Sequence, residues 1–318
     1  MKLAPLDRHG RRTASQRLAA GLVACTVVIL AVPARASAQM VMSSVEHLAF
    51  DRPESWALKY FAAATLLGGL ETPSPQAPGS VSVGLEAGWL PSLSSAQQLV
   101  GYYGTESQDL NKAPFFPRPR VSVGLPASFS IVVAFVPPVP MFGLTTKLLA
   151  IGLGRPVLRT KAWSVGARVY GQFGTVSGAY TCPASTLAFE PGSAGNHDGC
   201  QAASSDTASL RYAGGEISAA YRSGDASRLS PHAAFGVAYM DVGFQVNALT
   251  FGMVDHTHYF SHGTVISASG GISYRLSSRF VLSTDVFYSP LAVSRSFGAP
   301  VRNDGLFNVR TLLSYRMR

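Results

Sequence analysis

The sequence of 318 residues predicts an all-β protein, a transmembrane antiparallel up-and-down β-barrel. Three features support this fold class: a short hydrophobic export segment, recurrent alternation of apolar with small or polar residues, and a charged fraction of only 14%. In VSVGLEAGW, residues 81–89, every odd position is apolar and every even position is small or polar. Because successive side chains of a strand point to opposite faces, this segment separates an apolar surface from a polar one.

The first 38 residues have the order of a signal peptide. A basic region from Lys2 to Arg17 precedes an apolar run at 18–32, and Ala36-Ser37-Ala38 supplies small residues for cleavage after Ala38. Leu22 to Cys25 also resembles a lipoprotein cleavage box, although the apolar run continues past Cys25. A retained membrane helix would need about 20 apolar residues, which is more than this run contains.

The charge balance changes once this segment is removed. It holds six of the 26 Lys and Arg residues and one of the 17 Asp and Glu residues, which leaves 20 minus 16, or +4. The high isoelectric point of the whole chain therefore gives little reason to expect nucleic acid as a partner.

Two cysteines, Cys182 and Cys200, remain in the mature chain, within a Gly- and Ser-rich segment. An even pair in an exported protein predicts a disulfide, and the alternative is two free thiols.

The alternation predicts a barrel domain at 80–318 with ten strands, after an N-terminal segment at 39–79. The predicted strands are 80–90, 118–126, 128–137, 146–156, 162–175, 207–222, 231–246, 259–275, 279–290 and 305–317. Long and short connections alternate between them, as expected when long loops are extracellular and both chain ends are periplasmic.

Residues 52–68 predict a short helix in the lumen or at its periplasmic mouth. Asp51 is a capping residue, Pro53 is an early proline, Glu54 lies three positions after the cap, and Gly68-Gly69 follow the segment. The alternative is that 41–50 and 55–68 form two further strands, which would give twelve.

The predicted interior face carries seven charged residues among many serines and glycines. They are Glu86, Arg120, Arg168, Glu216, Arg275, Asp285 and Arg310. The excess of arginine fits a weakly anion-preferring pore, while pairing of arginines with acids across a narrow ten-stranded lumen would close it.

The sharpest local cluster is DHTHYFSH at 255–262. His256, His258 and His262 share one face of an extended chain and are candidate ligands for zinc or copper, against the alternative of solvated rim histidines. Ser261 with His262, or Asp255 with His256, would be the groups available to a hydrolase. No GxSxG motif is present in the sequence, so we predict neither an enzyme nor a cofactor.

The final strand, FNVRTLLSYRM at 307–317, resembles the C-terminal strand recognised by outer-membrane assembly machinery, with Arg318 in place of the usual terminal aromatic. Over the mature chain, the alternation resembles bacterial outer-membrane β-barrels of the porin-like and small-solute or lipophile channel class. This resemblance implies a Gram-negative outer membrane, with lipid, lipopolysaccharide and the assembly machinery as partners, and passive transport of a small solute or hydrophobic compound. A structural or adhesive barrel and a membrane-embedded hydrolase are the alternatives, and the oligomeric state is not predicted.

Overall fold

The computed structural model describes residues 40–71, 76–224 and 227–317; the predicted signal peptide lies outside them. Ten long strands form the wall of the molecule. They are β1 (Val81–Trp89), β2 (Phe115–Gly124), β3 (Ser130–Val136), β4 (Leu144–Arg159), β5 (Trp163–Gly178), β6 (Asp206–Tyr221), β7 (Leu229–Gln245), β8 (His258–Arg275), β9 (Phe280–Ser289) and β10 (Leu306–Arg316).

Each of these strands pairs antiparallel with its neighbours in sequence, and β10 pairs with β1 to close the sheet. The observed strand ends differ from the predicted ends by three residues at most. The predicted up-and-down barrel is therefore confirmed with ten strands, and the twelve-strand alternative is wrong because 55–64 is helical.

The outer face of the barrel is apolar between two rings of exposed aromatic side chains. The ring at the end with the longer connections, which is the extracellular end, contains Trp89, Phe135, Phe173, Tyr288 and Phe307. The opposite ring contains Trp163, Tyr221 and Tyr274. An apolar band flanked by aromatic girdles on a closed barrel is the arrangement of an outer-membrane protein, and the chain is one. None of the described helices is long and apolar enough to cross a bilayer.

The N-terminal part of the described chain lies at the extracellular end. Met40–Met42 pairs with Met253–Asp255 in an extracellular loop, and Val45–His47 pairs with the first residues of β8. β9 pairs with β8 only from Ala268 onwards, so the outer part of that edge of β8 can accept another strand. The expectation that both chain ends are periplasmic is therefore wrong for this end.

Further short strands and 3-10 turns lie between the long strands. They are Leu99–Gly101, Tyr102–Gly104, Glu106–Ser107, Pro126–Ser128, Pro140–Met141, Thr186–Ala188, Ala248–Thr250, Ala292–Val293 and Arg302–Asn303.

A helix, α1 (Pro53–Ala64), lies inside the barrel, with Trp56 and Ala62 fully buried. It begins at Pro53, one residue after the predicted start, and ends four residues before the predicted end at 68. The chain leaves the helix there because the carbonyl groups of Leu66 and Leu67 accept hydrogen bonds from arginines of the wall. The predicted capping role of Asp51 is wrong, because Arg52 occupies the N-cap position and no side chain caps the helix.

The wall is least continuous between β2 and β3. Their ladder runs from Gly124 opposite Ser130 to Arg120 opposite Ala134, and the described pairing stops there although β2 continues outward to Phe115. Pro117 and Pro119 in that outer part of β2 have no N–H group to donate to a neighbouring strand.

Candidate functional site

The middle of the lumen is filled by buried ion pairs. The guanidinium of Arg118 forms a two-pronged contact with the carboxylate of Glu86, with both N···O distances 2.8 Å, and Arg120 contacts the same carboxylate at 2.5 Å. All three side chains are buried, so each charge depends on its partner for stabilisation.

Three further ion pairs, made by two arginines, complete this layer. Arg310 contacts Asp285 at 2.9 Å, and Arg168 lies 3.5 Å from Glu216 and 3.2 Å from Glu71. Together the four arginines meet four carboxylates, so these groups carry no net charge.

The same charged groups hold the backbone that follows α1. The carbonyl groups of residues 65, 66 and 67 accept hydrogen bonds from Arg118, Arg310 and Arg168. The N–H groups of residues 69 and 70 donate to Glu216 and Asp285, at 2.8 and 3.0 Å. This ionic layer therefore binds a described chain segment across the lumen.

Of the seven charged residues predicted to line the lumen, Glu86, Arg120, Arg168, Glu216, Asp285 and Arg310 belong to this ionic layer. Arg275 does not, since it is the last residue of β8 at the periplasmic end. Arg118 also belongs to the layer although the sequence analysis did not select it, and its alternation with Arg120 on β2 was the available signal.

A cavity of about 600 Å³ lies above the ionic layer, on the extracellular side. One face of α1 forms part of its floor, including Ala57, Phe61 and Ala64, whose spacing of four and three residues puts them on one side of the helix. Apolar side chains of the barrel form its wall, such as Leu148 on β4 and Leu210 on β6. We call this cavity the apolar pocket.

Extracellular loops form the mouth of the apolar pocket, and the predicted disulfide fixes one of them. Cys182 and Cys200 are bonded, with their Cα atoms 5.6 Å apart. The buried side chain of Asn196 accepts a hydrogen bond from the N–H of Cys200 at 2.6 Å and donates to the Cys200 carbonyl at 2.9 Å. These contacts hold His197 and Asp198, which lie between the two residues, at the mouth.

Across the mouth, Glu106 approaches His197 and Asp198 from the loop between β1 and β2. One ligand atom from each residue lies within 4.8 Å of the others, which is close enough for the three to share a cation. Among the described residues this is the cluster with the composition of a metal site. Glu106 is 91 positions from His197 in sequence, so spacing alone could not have revealed it.

Acidic side chains are concentrated at the mouth. Partial burial and the neighbouring Asp198 raise the pKa of Glu106 above its usual range. The pKa of Tyr102 is also raised, by burial first and then by Glu106, Asp198 and Asp255. The three carboxylates therefore act on one small region.

The three histidines considered as candidate metal ligands lie elsewhere. His256 donates its backbone N–H to the Met42 carbonyl at 2.8 Å, and the ring of His258 packs against Phe260, with centroids 3.9 Å apart. The ring of His262 lies on the outer face near Tyr239, whereas Ser261 is buried on the opposite face of β8.

No protein-family model and no curated protein matches the chain. Among solved structures, it is similar to Ail, the attachment invasion locus protein of Yersinia pestis, in complex with sucrose octasulfate, with 10% identity, TM-score 0.32, and 76% of this chain and 100% of Ail covered. The Escherichia coli outer membrane protease OmpT matches with 9% identity, TM-score 0.37 and coverage of 75% and 94%. The Pseudomonas putida toluene transporter TodX matches with 12% identity, TM-score 0.29 and coverage of 76% and 69%.

Proposed function

We propose that this outer-membrane barrel binds a small hydrophobic compound in the apolar pocket and transfers it into the membrane by a passive route. The pocket is the observation that supports this proposal. Its volume of about 600 Å³ is within the range of roughly 300–1,000 Å³ for small-molecule sites, and its floor and wall are apolar.

The ionic layer favours a hydrophobic compound over a hydrated ion. A hydrated ion would have to displace a chain segment held by Arg118, Arg168 and Arg310. An apolar compound can instead leave the pocket sideways through the wall, at the outer part of β2. The described ladder with β3 stops there, and Phe116 and Val136 line the pocket beside it. We therefore expect bound ligand without large conductance steps in planar bilayers.

No catalytic role is part of this proposal. Ser261 and His262 lie on opposite faces of β8, so they do not form a nucleophile and base pair.

The substitution Ala208→Leu tests the proposal by reducing the pocket volume. Ala208 is buried and lines the pocket, whereas Ala213 lies on the lipid face of the same strand, so Ala213→Leu is the matched control. Native mass spectrometry and fluorescence titration with the apolar dye N-phenyl-1-naphthylamine would measure binding to the detergent-solubilised mature chain. We expect Ala208→Leu to weaken binding roughly tenfold, as overpacking of about 1–3 kcal/mol implies, and Ala213→Leu to leave it unchanged.

Absence of dye binding by the unsubstituted protein would contradict the proposal and favour a structural or adhesive barrel. Equal weakening by Ala208→Leu and Ala213→Leu would place the dye outside the pocket and would also contradict it.

A further inference from the structure

The charged residues that line the apolar pocket are unequally divided between acids and bases. Among the described lining residues, five are acidic and one is an arginine. His197 also lines the pocket and is positively charged only when it is protonated. They are Glu46, Glu54, Glu106, Asp198, Asp255 and Arg52. This excess contrasts with the net charge of +4 expected for the mature chain, so it is a local property of the pocket.

The single arginine neutralises only part of this excess. Arg52 contacts Glu46 at 2.8 Å and Glu54 at 2.9 Å, so its ion pairs are made with two of the five acids. Within the described chain, neither Glu106, Asp198 nor Asp255 has an ion pair with lysine or arginine. The nearest basic group to Glu106 is the largely exposed His197, at 4.0 Å.

The surroundings of these three carboxylates strengthen their field. They lie at the edge of an apolar cavity, where low-dielectric walls focus the potential and weaken screening by water. The rings of Tyr102 and Tyr259 line the same mouth, and an aromatic face attracts a cation placed over it.

We propose that the apolar pocket selects hydrophobic compounds that carry a positive charge, with the apolar body against α1 and the wall and the cationic group among Glu106, Asp198 and Asp255. This inference rests on the proposed function, since it names the class of compound that the same pocket takes. An anionic compound of equal size would meet three like charges at the mouth, and a neutral one would gain nothing from them.

Three ligands with one naphthalene body test this selectivity. They are naphthylmethyl-trimethylammonium, its neutral carbon isostere and naphthylacetate. Binding to the detergent-solubilised mature chain is measured by fluorescence titration at low ionic strength in the presence of EDTA, so that no bound metal contributes. We expect the cation to bind about tenfold more tightly than the neutral isostere, and the anion to bind most weakly.

The double variant Glu106→Gln/Asp198→Asn removes two of the three charges, and Asp109→Asn/Glu190→Gln makes the same net change in the same two loops at residues that do not line the pocket. Glu106→Gln/Asp198→Asn should abolish most of the preference for the cation and leave the affinity for the neutral isostere unchanged. Asp109→Asn/Glu190→Gln should change neither affinity.

Equal affinities for cation and isostere, or equal effects of the two double variants, would overturn the inference while leaving the proposed function intact. Failure of the isostere and the cation alike to bind would refute the proposed function itself.

Discussion

The extracellular and middle parts of the lumen are built by the same strands but have opposite chemistry. On β6, Ala208 and Leu210 line the apolar pocket, while Glu216 on the same face belongs to the ionic layer. On β2, Phe116 lines the pocket, and Arg118 two positions further on belongs to the layer. The change from apolar to charged takes one alternating position on β2 and three on β6.

The end of α1 explains where this change falls. The helix satisfies its own backbone groups and can lie beside apolar side chains, whereas the segment after Ala64 has free carbonyl and N–H groups that need partners. Arginines and carboxylates of the wall supply those partners between residues 65 and 70. The ionic layer thus positions α1 and residues 65–70, which together we call the plug, and the apolar pocket above it remains available for a ligand.

The largest expected effect comes from breaking the charge balance of the ionic layer. Glu86→Gln would leave Arg118 and Arg120 buried with one counter-charge fewer, and an uncompensated buried charge destabilises a protein by about 3–5 kcal/mol. The free energy of unfolding from urea titration in detergent, read by heat-modifiable gel migration, measures this. Glu190→Gln on an exposed loop is the control and should change it by less than about 0.5 kcal/mol.

An unaltered unfolding free energy in Glu86→Gln would show that the layer is not a structural element and would remove the contrast between the two regions. Discrete conductance in Glu86→Gln, and not in the unsubstituted protein, would instead strengthen the contrast. It would show that the ionic layer is needed to keep the plug in the lumen.

A smaller effect is expected where the plug backbone passes closest to the layer. Gly69 has a φ of +71°, and a methyl group there would fall against Asp285 and within 2.6 Å of Arg310. Gly79 has a φ of +78° but open space around it, so Gly79→Ala reports the backbone strain alone. We expect Gly69→Ala to lower the unfolding free energy by about 1–3 kcal/mol more than Gly79→Ala does. Equal effects of the two variants would mean that the plug has room to move within the layer.

The barrel was predictable because alternation has the period of a strand and lipid imposes it on every strand. The alternation likewise predicted that Glu86, Asp285 and Arg310 point into the barrel from β1, β9 and β10. The backbone segment that these side chains hold was not predictable, because no pattern in 65–70 shows that it will lie across the lumen.

The mouth of the pocket was less predictable than the barrel. The histidine cluster at 256–262 was conspicuous in sequence, yet the group that the fold assembles is Glu106 with His197 and Asp198. Loops joined to different strands bring these residues together, and neither residue spacing nor strand period encodes that contact.

The smallest effect on the folded barrel is expected from the disulfide, which lies at the pocket mouth and outside the ionic layer. Cys182→Ser/Cys200→Ser opens a loop that closes over 18 positions and carries His197 and Asp198. Such a bond acts mainly on the unfolded chain, whose loop it restrains by roughly 3 kcal/mol, and the ionic layer shares no residue with that loop. We expect the affinity for the cationic naphthalene ligand to fall about fivefold, because Asp198 is no longer held in place, while the unfolding free energy falls by no more than this loop-closure contribution. A larger fall in barrel stability would show that the two regions are coupled, and the division between a structural layer and a ligand pocket would then have to be abandoned.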